Sequence, residues 1–284
     1  HLPIDYIKID GMFVRDIAND SIDQEMVRSI TGIAKAMGKQ TIAEFGIDCD
    51  WQRSGELDVA VEPWQVVGLK ESAELMSERG IHVEFLDQES VRARLNSQTY
   101  LAGLLEPNAV AIVDPARLVW GLRDACVSLG VRIFEQTPAT ALKATARGMQ
   151  ATTAAGVVST SRVALASNIF PPLLQRISHY VVPVYDYVLM TEPLTDEQLA
   201  SIGWSGREGV GDAGNQFHYY RLSADNRILW GGYDAMYYFG GKVNARYDER
   251  AETFDALAHQ FFVAFPQLEG LKFTHAWGGA IDTC

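Results

Sequence analysis

The chain has 284 residues, enough for a large hydrophobic core and two domains, and its 48% apolar and 21% charged composition is that of an ordinary globular protein. A formal charge of −12 argues against a nucleic-acid backbone as partner, because phosphate binding calls for clustered Lys and Arg. The apolar runs are too short to span a bilayer, and three widely spaced cysteines, Cys49, Cys126 and Cys284, fit a reducing cytoplasm better than a disulfide framework. The expectation is therefore a cytoplasmic protein with no membrane partner.

The first 45 residues read as one β–α–β unit. Asp5 to Asp10 alternates apolar and polar side chains as a strand does, and Asp20 and Ser21 offer helix caps. Ile22, Met26, Ile30, Ile33 and Met37 recur at helical spacing before Gly38, and Gln40 to Glu44 reads as a second strand. Such a unit implies parallel strands joined by a right-handed crossover. The pattern changes at Phe45–Gly46.

Beyond that seam, Ser54 to Val61 reads as a turn into a strand. Val66 to Arg79 reads as a helix ending at Gly80, and Asp87 as the cap of a short helix. Ala111 to Val113 reads as a strand entering Asp114-Pro115, a strong helix start whose apolar stripe is Leu118, Leu122, Ala125, Cys126 and Leu129. Then come a strand at 131–135, three short alternating segments at 140–144, 148–153 and 157–159, and a buried strand at 163–168. Val181 to Leu189 is a further strand. Phe217 to Leu222 and Arg227 to Tyr233 form a hairpin around Ser223 to Asn226, and Asp248 caps a long helix with Phe254, Leu257, Phe261 and Phe265 on one face. The expected class is α/β (α+β): a partial doubly wound domain, a mostly antiparallel sheet and an N-terminal βαβ fragment.

The segments Leu2 to Gly11 and Thr41 to Glu44 resemble the late part of EAL domains, which hydrolyse cyclic di-GMP with divalent metals. The resemblance implies that Lys8 matches an active-site lysine and Glu44 an acidic residue at a strand end. Residues 46–284 resemble the D-amino-acid-oxidase-like superfamily of flavoproteins, nearest to its gamma-glutamylputrescine oxidoreductase branch. That resemblance rests on Gly46 to Val61, Val113 to Leu118, Pro183 to Leu194, Phe217 to Tyr233 and Ala276 to Thr283.

It implies FAD as cofactor and hydride transfer from the carbon bearing an amine. It also implies a cofactor region at 113–170 and a substrate-binding domain made of 46–112 and 171–284. By the same resemblance Ala139, Ser167 and Asn168 lie against FAD, and Tyr220, Arg221 and Trp277 face the substrate. An arginine there would pair with a substrate carboxylate. The catalytic group and the oligomeric state stay open. No metal-ligand spacing occurs among the histidines. The literal Gly-x-Gly-x-x-Gly at Gly209 to Gly214 does not follow a strand and open a helix, so it reads as a flexible loop. His218 and His275 read as hydrogen-bonded structural histidines. The leading expectation is an FAD-dependent amine or amino-acid oxidoreductase whose site is incomplete in this chain. The alternatives are a cyclic-di-GMP phosphodiesterase fragment or a non-catalytic chimeric or truncated product.

Overall fold

A computed structural model describes residues 45–107, 110–170, 173–174, 176 and 180–282. Lys8 and Glu44 lie outside the described residues. Two compact units are present: residues 45–49 with Asp114–Glu135, and residues 50–113 with 136–282.

The larger unit is built on a mixed sheet of eight strands. In chain order these are β1 (Glu56–Ala60), β2 (Glu84–Leu86), β3 (Ala102–Glu106), β7 (Pro183–Thr191), β8 (Gly209–Asp212), β9 (His218–Leu222), β10 (Ile228–Gly232) and β11 (Phe273–Asp282). Their spatial order is β11-β7-β10-β9-β8-β1-β3-β2, and among the described residues β1 with β8 is the single parallel pair. A separate antiparallel meander contains β4 (Ala139–Thr145), β5 (Gly148–Thr153) and β6 (Gly156–Thr160). The mixed α/β class and the mostly antiparallel large sheet agree with the expectation from sequence.

Local chemistry accounts for the helix starts. Helix α1 (Pro63–Glu78) has Pro at its first position and a capping box in which the Gln65 side chain accepts from the backbone N–H of Val61 at 2.7 Å and Glu62 at 2.9 Å. Helix α2 (Gln88–Arg94) is capped by Asp87, which accepts from the Ser90 N–H at 2.9 Å. Helix α4 (Asp196–Ile202) starts at a Thr195–Gln198 capping box and stops at Gly203, whose φ of 69° is left-handed. The smaller unit contains α3 (Pro115–Ser128), capped by Asp114 through the N–H groups of Ala116 and Arg117.

Residues alternate across the sheet, so register decides which side chains share a face. One face carries Leu57, Val59, Tyr185, Tyr187, Leu189, Val210, Tyr220, Leu222, Ile228 and Trp230, all buried in one core. Helix α5 (Ala251–Ala264) covers this face with Leu257, Phe261 and the following Phe265. Trp230 meets Phe261 edge-on at 5.6 Å and lies 4.6 Å from Tyr220. The opposite face is covered at its β1–β3 end by Leu69 and Ala73 of α1.

Several elements differ from the sequence expectation. Residues 131–135 and 163–168 are not strands. A strand persists only in a ladder, and neither segment has a strand neighbour among the described residues. Ile133 and Phe134 are accordingly exposed, as are Ala164 and Ala166. Ala111 to Val113 contributes one isolated bridge, Gln52 with Ile112. On α3 the expected stripe is buried at Ala125 alone, Cys126 is half-buried and Leu129 is exposed. Asp248 is not the cap of α5. It closes a short turn at Ala245–Tyr247 that begins at Asn244, and α5 starts after Arg250. Gly209–Asp212 is strand β8 rather than a loop, because Val210 plugs into the core and the backbone bridges β1 to β9.

Candidate active site

The face of the large sheet away from α5 carries the polar groups. A continuous cross-strand row runs Asp58, Gly211, Tyr219, Gly231, Val188, Trp277. Arg221 and Leu229 pair in the next row, and Asp186 pairs with Gly279 on the other side. Arg221 and Trp277 therefore share this face, whereas Tyr220 points to the other one.

Tyr220 is fully buried, hydrogen-bonded hydroxyl to hydroxyl with Tyr100, and edge-on to Trp204 at 5.8 Å. Burial pushes both phenols above their ordinary range. The half-buried guanidinium of Arg221 donates from Nη1 to the Val113 carbonyl at 2.8 Å. Trp277 sits on the edge strand β11 and is 41% exposed.

Two residues on this face escaped the sequence reading. Tyr219 donates its hydroxyl to the Asp186 carboxylate. Its ring lies over Gly231, where an added Cβ would come within 2.7 Å of the ring. Burial raises the Asp186 carboxyl above the usual carboxylate range, while the bonds from Tyr219 and from the Tyr187 N–H at 2.9 Å pull it down. The available signal was parity, since Tyr219 stands two positions from Arg221 on one strand. At the β1 end, Asp58 is pushed up to about 6 by burial and then by the nearby carboxylates of Glu56 and Glu106.

His218 lies on the core side and is held on both sides. Its Nδ1 is 2.7 Å from Asp212 and its Nε2 is 2.9 Å from Gln260, with the ring stacked on Trp230 at 4.7 Å. His275 is exposed, 3.0 Å from the Thr274 hydroxyl. Among the described residues no cluster of His, Cys, Asp and Glu could hold a metal ion, and no helix is long and apolar enough to cross a membrane.

The three residues matched to the cofactor lie apart from that row. Ala139 opens β4 and is exposed. Ser167 and Asn168 form a tight turn: the Ser167 carbonyl accepts from the Phe170 N–H at 3.1 Å, and Asn168 has a left-handed φ of 48°. A hydroxyl and a primary amide side by side, with no side-chain bond among the described residues, are a donor–acceptor set that fits a ribose or a diphosphate.

The family model for FAD-dependent oxidoreductases (DAO) matches residues 14–284. The chain belongs to this family. The match begins upstream of the change of pattern at Phe45–Gly46. Among DAO-family relatives, the chain is 30% identical over 251 residues to a probable oxidoreductase OrdL of Haemophilus influenzae, covering 86% of this chain and 54% of that protein. It is 30% identical over 248 residues to gamma-glutamylputrescine oxidoreductase of Escherichia coli, covering 85% and 54%. The chain thus spans about half the length of the curated relatives it matches. The fold is similar to that of glycine oxidase from Geobacillus kaustophilus, with a TM-score of 0.73 and 19% identity, over 89% of this chain and 65% of that one. A short segment is also 48% identical over 44 residues to the cyclic di-GMP phosphodiesterase PdeB of Shewanella oneidensis, which is 16% of this chain and 5% of that protein.

Proposed function

We propose that the chain is the substrate-binding part of an FAD-dependent oxidoreductase acting on a small amine or amino acid. The observation that carries this reading is the row of Tyr219, Gly231 and Trp277 beside Arg221 on one sheet face in a chain of the DAO family. The curated relative named for oxidising gamma-glutamylputrescine and the glycine oxidase fold support an amine as substrate. Residues 46–112 and 171–284 form the substrate side, and 113–170 the cofactor side.

FAD, when bound, supplies the acceptor for a hydride leaving the carbon next to the amine nitrogen. This chain's residues bind and orient. The guanidinium of Arg221 holds a substrate carboxylate through charge-assisted bonds, and its bond to the Val113 carbonyl fixes where that anion sits. Trp277 gives the substrate's apolar part a flat surface that displaces water. Ser167 and Asn168 contact the ribose–diphosphate portion of the cofactor, and Ala139 its adenine side. Cys49 and Cys126 are both unpaired, which fits a cytoplasmic location.

The test is absorbance. The purified chain is supplied with FAD, freed of unbound flavin and scanned through the flavin bands. Retained absorbance that bleaches when an amine substrate is added is the expected result; a colourless protein overturns the reading. The phosphodiesterase likeness is one of lineage, since it takes in 5% of that relative, and no such activity is proposed.

A further inference from the structure

We propose that the outer strand β11 is a self-association edge, along which two copies of this chain pair antiparallel about a two-fold axis at Gly278. β11 is the terminal strand of the large sheet and, among the described residues, pairs with β7 alone. With ten residues it is a long edge. From Phe273 to Ile281 it carries no Lys, Arg, Asp, Glu or Pro, the residues that ordinarily keep an edge strand from pairing. Thr274, His275, Ala276, Trp277 and Ile281 are exposed along it.

Hydrogen-bond direction decides which groups are free. Tyr185 spends its N–H and C=O on Met236, at 2.8 and 3.1 Å, on the side of β7 away from β11. Ala280 stands opposite Tyr185 on β11, so it turns its own N–H and C=O outward, and by alternation Gly278 and Ala276 do the same. A second β11 meets these groups with its own Ala276, Gly278 and Ala280. Side chains then select the register. A two-fold axis at Trp277 would set two indoles directly opposite each other, and one at Gly279 would set two glycines opposite and leave a hole. With the axis at Gly278, Ala276 pairs with the partner's Ala280, and Trp277 stands opposite the partner's Gly279. A Cβ built on Gly279 would meet nothing within 4 Å, which leaves room for that indole. An aromatic ring over a cross-strand glycine is a stabilising pair. His275 faces the partner's Ile281 in the same register, and both are exposed in the single copy. The occupant is a second copy because one strand supplies both the large side chain and the gap that receives it, each at the spacing the two-fold requires. Seating one face of the indole on the partner leaves its other face to the substrate side.

The test uses the full 284-residue chain in sedimentation velocity at about 100 μM, since a single strand pairing is a small interface. The expected result is a particle of twice 31.4 kDa. Ala276→Pro removes one outward N–H and none that bonds β7, and Gly279→Glu fills the gap meant for the partner's indole. Both variants should keep the wild-type thermal midpoint at low concentration and sediment at 31.4 kDa. Cross-linking reads the register. His275→Cys with Ile281→Cys places two thiols in a non-hydrogen-bonded pair across the axis, with Cα atoms about 4.5 Å apart, close enough for an intermolecular disulfide on mild oxidation. His275→Cys with Ala280→Cys puts them on opposite faces and should give no more cross-link than either single variant. A wild-type monomer, a dimer that survives both Ala276→Pro and Gly279→Glu, or equal cross-linking by the two cysteine pairs overturns the proposal. The outcome is independent of whether flavin binds.

Discussion

The phenol of Tyr219 crosses strand β10 to reach the carboxylate of Asp186 on β7. It can do so because Gly231 lies beneath the ring. Tyr185, Tyr187 and Tyr220 are on the core face, whereas Tyr219 is on the other, and its bond to Asp186 is bridged by a residue with no side chain.

Gly231→Ala should break that bond. The new Cβ would sit 2.7 Å from the ring, and the ring, being the end of a side chain, rotates away and leaves Asp186 without its hydroxyl donor, with the Tyr187 N–H still in place. The expected cost is about 1–2 kcal/mol, read as a lower denaturation midpoint. In a Tyr219→Ala background the same change should cost little, and a full additive loss in that double mutant would refute the arrangement.

Arg221 can be tested by kinetics. Arg221→Gln keeps a donor for the Val113 carbonyl but removes the charge. For a substrate bearing a carboxylate, KM should rise about 10–100-fold, the range expected on losing a hydrogen bond to a charged group. An amine of the same length without a carboxylate should be affected little. Equal losses for both substrates would remove Arg221 from carboxylate recognition.

Asp58 gives a pH prediction with a definite sign. Burial and the charges of Glu56 and Glu106 hold its carboxyl at about 6 in the folded chain, above the unfolded value of 3.8. The folded state therefore binds the proton more tightly, and stability falls as pH rises from about 4 to 6. Asp58→Asn removes this penalty. The variant should match wild type near pH 4 and exceed it by on the order of 1 kcal/mol at pH 7, a figure discounted for solvent screening of a half-buried group. Thermal denaturation at the two pH values measures the difference, and a constant offset would contradict it.

Phe261→Ala addresses the core. Phe261 is fully buried and sits 5.6 Å from Trp230 and 5.3 Å from Phe273, both edge-on. Truncation leaves a cavity between α5 and the sheet at a cost of about 3–5 kcal/mol. Calorimetry should show a marked fall in Tm. Ser167 and Asn168, proposed to contact FAD, lie outside this cluster, so any FAD binding by the residual folded protein should be unchanged.

The sequence by itself determined whatever is local. Asp114-Pro115, Asp87 and Gly80 mark helix boundaries because caps and left-handed glycines act within a few residues. The β9–β10 hairpin is legible in the same way, with Asn226 at a left-handed φ of 61° in its turn. The α5 stripe of Leu257, Phe261 and Phe265 follows from period alone, and family membership is carried by segments in which such local patterns combine. What the tertiary structure decided is whatever needs a distant neighbour. Segments 131–135 and 163–168 have strand-like composition but no ladder among the described residues, and they are not strands. Gly209–Asp212 has loop-like composition, yet it is a strand because β1 and β9 lie on either side of it. The site divides on the same ground. Arg221 could be singled out on its strand, but adjacent positions point to opposite faces, so Tyr220 is core and Tyr219 is the partner on the polar face. Asp186 and Gly279, nearly a hundred positions apart in sequence, become neighbours through cross-strand register, a long-range pairing that no local pattern encodes.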